Sequence, residues 1–383
     1  MKADAGSMTW RIGDNIGVSK YTLLTVEEGK RLIDRLEQEH ELSKTEMAAL
    51  IGVNCLELRD YARIKARAIG DRQYGKKIYI RGLIEFTNYC KNDCYYCGIR
   101  CSNTKADRYR LSREDIMACC REGKKLGFRT FVLQGGEDPY YSDDHMVDLI
   151  QQIRTDYPDC AITLSIGERE WESYERFWKA GADRYLLRHE TAAESHYQKL
   201  HPHNLSLKHR KQCLWNLKEI GYQTGCGFMV GSPGQTTEHL AEDFQFIREL
   251  QPEMVGIGPF IPHRDTPFAK EAQGSMDLTL YFLSLLRIQQ PDLLLPATTA
   301  LATIHPRGRE LGIEAGANVV MSNLSPVGVR DKYALYDGKV CTGDEAAECR
   351  NCLERRIESV GYHIVVSRGD HCDVKLMDSE VYM

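Results

Sequence analysis

The chain has 383 residues, 42 % of them hydrophobic, and a formal net charge of −5; it can bury a large core and lacks the basic excess of a broad nucleic-acid-binding face. No apolar run reaches the length of a membrane span and no charged-then-apolar leader is visible, which argues against a membrane partner and a secretory signal. Fourteen cysteines without such a signal predict a reducing compartment, the cytoplasm, where thiols serve metals or packing rather than disulfides.

Met1–Ser7 is polar and carries no fold pattern. The region from Thr25 to Ile69 is helical in pattern: Leu32, Ile33, Leu36 and Leu42 suggest one apolar face. Ser43-Lys-Thr-Glu46 is a capping box, because each side chain can satisfy the other's free backbone donor. Residues 1–76 are therefore expected to form an N-terminal helical cap.

From Lys77 the pattern changes to short apolar runs alternating with amphipathic segments. Strands are predicted at Ile78–Phe86, Thr130–Gln134, Ala161–Ser165, Arg184–Arg188, Thr224–Met229, Met254–Phe260, Leu293–Ala297 and Asn318–Met321. Helices are predicted at Arg113–Leu126, Asp144–Asp156, Trp171–Ala180, Leu207–Ile220, Thr237–Leu250, Leu278–Gln290 and Arg307–Ala315. Gly127, Gly181 and Gly221 are placed as left-handed helix stops. Strands joined by helical crossovers pair in parallel, and this number closes into a (βα)8 TIM barrel over residues 77–325, followed by a cysteine-bearing extension over 326–383. An open doubly wound sheet would bury the same runs; the strand count favours closure. Chemistry on such a fold sits at the carboxyl ends of the strands.

Cys90-Lys-Asn-Asp-Cys94-Tyr-Tyr-Cys97 follows the first predicted strand. Three thiolates on a [4Fe–4S] cluster leave one iron open to a small molecule. A zinc knuckle is the competing reading, but zinc favours closed four-ligand sites and no second pair lies nearby. The CxxxCxxC spacing, with Tyr96 before its last cysteine, resembles the signature of radical S-adenosylmethionine (SAM) enzymes. That resemblance implies that the open iron holds the amino and carboxylate groups of SAM, and that reductive cleavage yields a 5′-deoxyadenosyl radical.

The later strand ends supply further candidates. After the second strand comes Gln134-Gly135-Gly136-Glu137-Asp138-Pro139, where glycines let backbone approach a ligand closely; it resembles the radical-SAM "GGE" turn that grips the SAM amino group. Alternation puts Thr163 and Ser165 on one face of the third strand, hydroxyls inward. Arg188 and Glu190 close the fourth, either as an internal ion pair or as ligand contacts for a zwitterionic cofactor and its ribose. Arg210 could pair with the SAM carboxylate or stand exposed in the basic run 208–211. Gly231-Ser-Pro-Gly234 sets a sharp turn before a helix capped by Thr236 or Thr237. His263 lies in a Pro-rich loop, where a plain hydrogen bond is the default role.

Together with Cys97–Arg100, the stretches 135–141, 163–165, 184–191, 254–263, 296–299 and 316–319 resemble the HydE family of [FeFe]-hydrogenase maturases, from about Ile78 to Cys352. Methylornithine synthase and biotin synthase are sister families with the same barrel. The resemblance implies a radical SAM maturase with Cys90, Cys94 and Cys97 on a [4Fe–4S] cluster. Gly135, Gly136, Glu137, Ser165, Glu190, Arg210 and Tyr96 would hold SAM, and Thr163, Arg188, Tyr333 and Tyr336 would line the substrate pocket. It implies a small-molecule iron–cysteine CO/CN complex as substrate and the partner maturases of the hydrogenase pathway as partners. Cys341, Cys349 and Cys352, a CxxxxxxxCxxC trio, resemble the auxiliary site of some family members, which would hold a [2Fe–2S] or [4Fe–4S] cluster or else remain inert thiols. Gly136 departs from the Ser that many such chains carry. Cys55, Cys101, Cys119, Cys120, Cys160, Cys213, Cys226 and Cys372 lack ligand spacing and read as buried free thiols. The alternatives are a methylornithine-synthase-like mutase acting on lysine and a non-enzymatic iron–sulfur carrier.

Overall fold

The computed structural model describes residues 11–12, 16–17, 24–53, 55–340 and 350–372; Met1–Ser7, Cys341 and Cys349 lie outside them. In chain order the strands that build the core are β1 (Lys77–Thr87), β2 (Thr130–Gly135), β3 (Ala161–Ser165), β4 (Arg184–Leu186), β5 (Gln223–Cys226), β6 (Met229–Val230), β7 (Met254–Val255), β8 (Gly258–Pro259), β9 (Val319–Asn323) and β10 (His363–Val365). The helices are α1 (Val26–Glu39), α2 (Lys44–Gly52), α3 (Leu56–Tyr74), α4 (Arg113–Lys125), α5 (Asp143–Asp156), α6 (Trp171–Ala180), α7 (Glu194–Leu200), α8 (Leu207–Ile220), α9 (Thr237–Leu250), α10 (Met276–Gln289), α11 (Thr299–Ile304), α12 (Gly308–Glu314), α13 (Val327–Arg330) and α14 (Arg350–Glu358).

One parallel sheet runs β9–β1–β2–β3–β4–β5–β7. Two single parallel bridges, Met254 to Leu294 and Pro296 to Val319, carry it back to β9 and close the ring. The predicted strand Leu293–Ala297 exists only as those bridges. Pro296 has no N–H to give, so the ladder cannot run through it. The predicted strand Thr224–Met229 is likewise cut in two: Gly227 takes φ +155°, and β6 beyond it pairs with β8 instead. The three glycine helix stops hold, with φ +87°, +116° and +106° at Gly127, Gly181 and Gly221.

The N-terminal helices pack on the barrel: α2 along α9, and α3 along α10, with Tyr74 against Met254, Leu294 and Val319. The Ser43–Glu46 capping box forms as expected, and Thr25 with Glu28 makes a second one for α1. Leu36, Leu50, Ile51 and Leu58 are fully buried. At the other terminus β10 adds beside the start of β1, at the ring's amino-terminal end. Among the described residues no helix is long and apolar enough to cross a membrane.

Candidate active site

The loop after β1 is held by its own polar side chains. The Arg108 guanidinium donates to the carbonyls of Ile99 (2.9 Å), Arg100 (2.6 Å) and Asn103 (3.1 Å). Asp93 accepts from Arg100 Nε and Ser102 Oγ, both at 2.6 Å. This preorganises Cys90, Cys94 and Cys97. The N–H groups of Asn92 and Glu137 both donate to Cys90 Sγ at 3.4 Å. Burial pushes the Cys97 thiol up to about 12, with Cys90 as the next cause, and pushes Cys94 well up too, with Cys97 adding to it. Three crowded, desolvated thiols are costly to ionise alone, and iron at their centre removes that cost. The donor set fits a [4Fe–4S] cluster held by three cysteines.

The glycine turn is shaped against this loop. A Cβ on Gly136 would lie 2.2 Å from the Tyr89 carbonyl and 2.7 Å from Cys90 Cβ, so on this backbone the position takes Gly and not Ser. The Glu137 side chain is not on the cavity surface. Its Oε1 accepts from Glu168 N at 2.9 Å, its Oε2 faces Lys91 Nζ at 3.3 Å, and its carbonyl accepts from Lys91 N at 2.9 Å. Glu137 thus ties the exits of β1, β2 and β3 together. Gly167, at φ +79°, leaves the space that the Glu137 side chain fills.

Beside Cys97 the ring encloses a cavity of about 330 Å³. Gly135, Thr163, Ser165, Tyr96, Arg188, Glu190 and Arg210 all line it. Arg210 is 7 % exposed, not the exposed residue that its basic run suggested. It pairs with Glu168 at 2.7 Å, and burial pushes the Glu168 carboxyl up against the pull of Arg210. Arg188 and Glu190 form the internal ion pair, at 3.0 Å. Yet Arg188 Nε and NH2, Glu190 Oε2, Arg210 Nε and Thr163 Oγ1 are buried atoms without an aligned hydrogen bond. Buried polar atoms in that state are rare and mark a place where a polar ligand completes the network. Glu190 also adopts φ +64°, a conformation that costs a non-glycine residue about 1–2 kcal/mol and recurs at ligand sites.

The far wall holds residues that sequence reasoning missed. Arg81, Leu83 and Glu85 project inward from β1, an alternation legible in the strand itself. Glu85 Oε1 accepts from Lys339 Nζ at 2.5 Å, and Glu85 Oε2 accepts from Asn323 Nδ2 at 2.9 Å. Lys339 carried no sequence signal, since its approach depends on how residues 333–340 fold back. Tyr333 and Tyr336 both line the cavity, and Gln134 Nε2 donates to the Tyr333 hydroxyl at 3.3 Å. His263 accepts from Asp265 N at 3.1 Å, the plain hydrogen bond expected, and its Nε2 faces Asp337 at 3.9 Å. Of the cysteines read as buried thiols, Cys119, Cys120, Cys160, Cys213 and Cys226 are buried, whereas Cys101 and Cys372 are exposed and Cys55 is half-buried. Cys352 is half-buried on α14, near Arg355 NH2 at 3.8 Å.

Residues 84–247 match the radical SAM superfamily. The [FeFe] hydrogenase maturase subunit HydE of Thermotoga maritima is 43 % identical over 333 residues, which span 87 % of this chain and 94 % of that protein. The 3-methylornithine synthase of Methanosarcina acetivorans is 29 % identical over 88 % of this chain and 95 % of that protein. Among solved structures, methylornithine synthase (PylB) superposes with a TM-score of 0.77 at 28 % identity, covering 87 % of this chain and 97 % of that one. The chain belongs to the radical SAM superfamily and, within it, to the HydE family of [FeFe]-hydrogenase maturases.

Proposed function

We propose that this radical SAM maturase binds SAM between the Cys90–Cys97 loop and the inner ends of β2 to β4, and acts on an iron–cysteine CO/CN complex held deeper in the same cavity. The observation that carries the reading is the common outlook of Cys97, Arg188, Glu190, Arg210 and Tyr333 on one enclosed space. When bound, a [4Fe–4S] cluster with one open iron supplies the electron for reductive cleavage of SAM. The chain's own residues orient and exclude. The Gly135–Gly136 backbone offers a close approach for the amino group of SAM, Arg210 a guanidinium for its carboxylate, and Glu190 and Ser165 acceptors for its ribose. Thr163, Arg188, Tyr333 and Tyr336 surround the space left for the substrate. A partner maturase would deliver that substrate, and another would receive the product as a precursor of the diiron centre. In the same reading Cys341, Cys349 and Cys352 would hold an auxiliary iron–sulfur cluster with no step in the reaction.

A lysine mutase would need a carboxylate for the side-chain ammonium of its substrate. Glu85 is already engaged by Lys339 and Asn323, and in this reading Glu190 is taken by the SAM ribose, which favours the maturase reading. The test is anaerobic reconstitution, dithionite reduction and a SAM-cleavage assay with the iron–cysteine complex, with lysine, or with neither. Acceleration by the iron complex, or an adenosylated product from it, is expected. Turnover with lysine alone would replace the reading with a mutase, and failure of a reconstituted cluster to cleave SAM would overturn it.

A further inference from the structure

Behind the cavity wall, a wholly buried polar couple is bonded to backbone rather than to any ligand. His189 sits between Arg188 and Glu190, which line the cavity while it does not. His189 and Asp243, the latter from α9, are both 0 % exposed. Gly227 N donates to His189 Nδ1 at 3.3 Å. That fixes the tautomer: Nε2 carries the proton and donates to Asp243 Oδ1, 3.2 Å away. Asp243 Oδ1 also accepts from Ala192 N at 2.5 Å.

These bonds bracket Glu190. Its N–H donates to the carbonyl of the same Gly227 at 3.0 Å, and its own carbonyl accepts from Met229 N at 3.2 Å. The backbone of 189–192 is thereby fastened to β5–β6 on one side and to α9 on the other. A left-handed glutamate persists only where its surroundings over-determine it. An apolar pair would fill this part of the core, against Phe246 at 5.0 Å, without the desolvation cost of a buried carboxylate. What the polar pair adds is the fixed position of two backbone N–H groups.

We propose that His189 and Asp243 are positioning residues that hold Glu190, and Arg188 with it, in the cavity-facing conformation needed to bind SAM. The inference rests on the reading above that Glu190 contacts SAM. Its test uses the anaerobically reconstituted holoenzyme and reads the Kd for SAM by equilibrium dialysis, beside iron content and Tm. Asp243→Leu and His189→Gln should each weaken SAM binding by about tenfold with iron content unchanged. Asp243→Asn, which keeps the Oδ1 acceptor, should stay within about threefold of the parent. In a Glu190→Ala background, His189→Gln should add no further loss, because the positioned group is gone. An additive loss in that background, or an unchanged Kd in His189→Gln, overturns the proposal. If Glu190→Ala alone leaves the Kd for SAM unchanged, it is the underlying reading of Glu190 that fails. Should Asp243→Leu not fold, the Asp243→Asn and His189→Gln pair decides the matter.

Discussion

Arg184 opens β4 and Arg188 lies two residues past its carboxyl end, and the two are built in opposite ways. At the amino-terminal end Arg184 is 0 % exposed. It donates to Gln223 Oε1 (3.2 Å), Thr130 Oγ1 (3.1 Å), the Arg368 carbonyl (2.7 Å) and Asp370 Oδ1 (2.6 Å). Asp370 in turn accepts from Arg368 at 2.8 Å and from Gln223 at 2.9 Å. Four residues on, Arg188 faces one carboxylate in poor alignment, with two nitrogens buried and unbonded. The same side chain is a structural plug where its bonds are complete, and where they are not it leaves donors that a ligand would complete.

Three substitutions would test that contrast most severely. Cys97→Ala removes one of the three thiols proposed to hold the cluster at the open end. It should abolish iron–sulfur absorbance after reconstitution and reduce SAM cleavage to background, with circular dichroism and Tm retained. At the closed end, Arg184→Met takes its hydrogen bonds from four acceptors, with Asp370 keeping Arg368 and Gln223, and should cost about 1–3 kcal/mol; urea unfolding reads this directly. Arg188→Met should give the inverse pattern: a stability change under about 1 kcal/mol, but a fall in SAM cleavage of about 100-fold as orientation is lost. Equal Tm losses for the two arginines would dissolve the distinction between the ends.

Much of the open end was legible in sequence because its chemistry is local. Cys90, Cys94 and Cys97 lie on one loop, Gly135–Glu137 on one turn, and Thr163 with Ser165 on one strand, so spacing alone places them together. What spacing could not supply was long-range. The Glu137 side chain is spent on Lys91 and Glu168, a tie between loops that spacing does not show. Lys339 meets Glu85 across more than 250 positions, which no periodicity encodes. The fold was legible for the same reason: helices such as Trp171–Ala180 and Leu207–Ile220 appear with the predicted bounds. The ring's weakest segment, 293–297, was read as a full strand because its apolar run looks like one. Pro296 decides otherwise, since a missing donor does not alter hydrophobic patterning.

A smaller effect at the closed end follows from pH. The Asp370 carboxyl is held down at about 2: burial raises it, and Arg184, Arg368 and Gln223 together more than offset that rise. A folded pKa below the unfolded value contributes stability that is fully present above about pH 4 and is lost as pH falls through 2. The contribution is about 2 kcal/mol. Urea titrations at pH 6, 4 and 3 should show a decline below pH 4 that Asp370→Asn flattens.

The smallest expected effect belongs to Tyr96, beside the last cluster cysteine. His201 Nδ1 lies 3.0 Å from the Tyr197 carbonyl and must donate to it, so Nε2 accepts from the Tyr96 hydroxyl at 3.2 Å. Burial pushes His201 down to about 3, which keeps it a neutral acceptor across the working pH range. The Tyr96 hydroxyl is thereby held by His201, while the residue itself lines the cavity. Tyr96→Phe keeps the ring, which meets His201 edge-on at 5.4 Å, and deletes one hydrogen bond worth about 1 kcal/mol. Stability should fall by that amount while the Kd for SAM changes less than about threefold at any pH between 6 and 8. A SAM affinity that titrates near pH 6.5 in the parent and loses that dependence in Tyr96→Phe would mean that His201 carries a charge in the working enzyme. Tyr96 would then belong with Arg188 among the groups completed by ligand, rather than with Arg184 among those already satisfied.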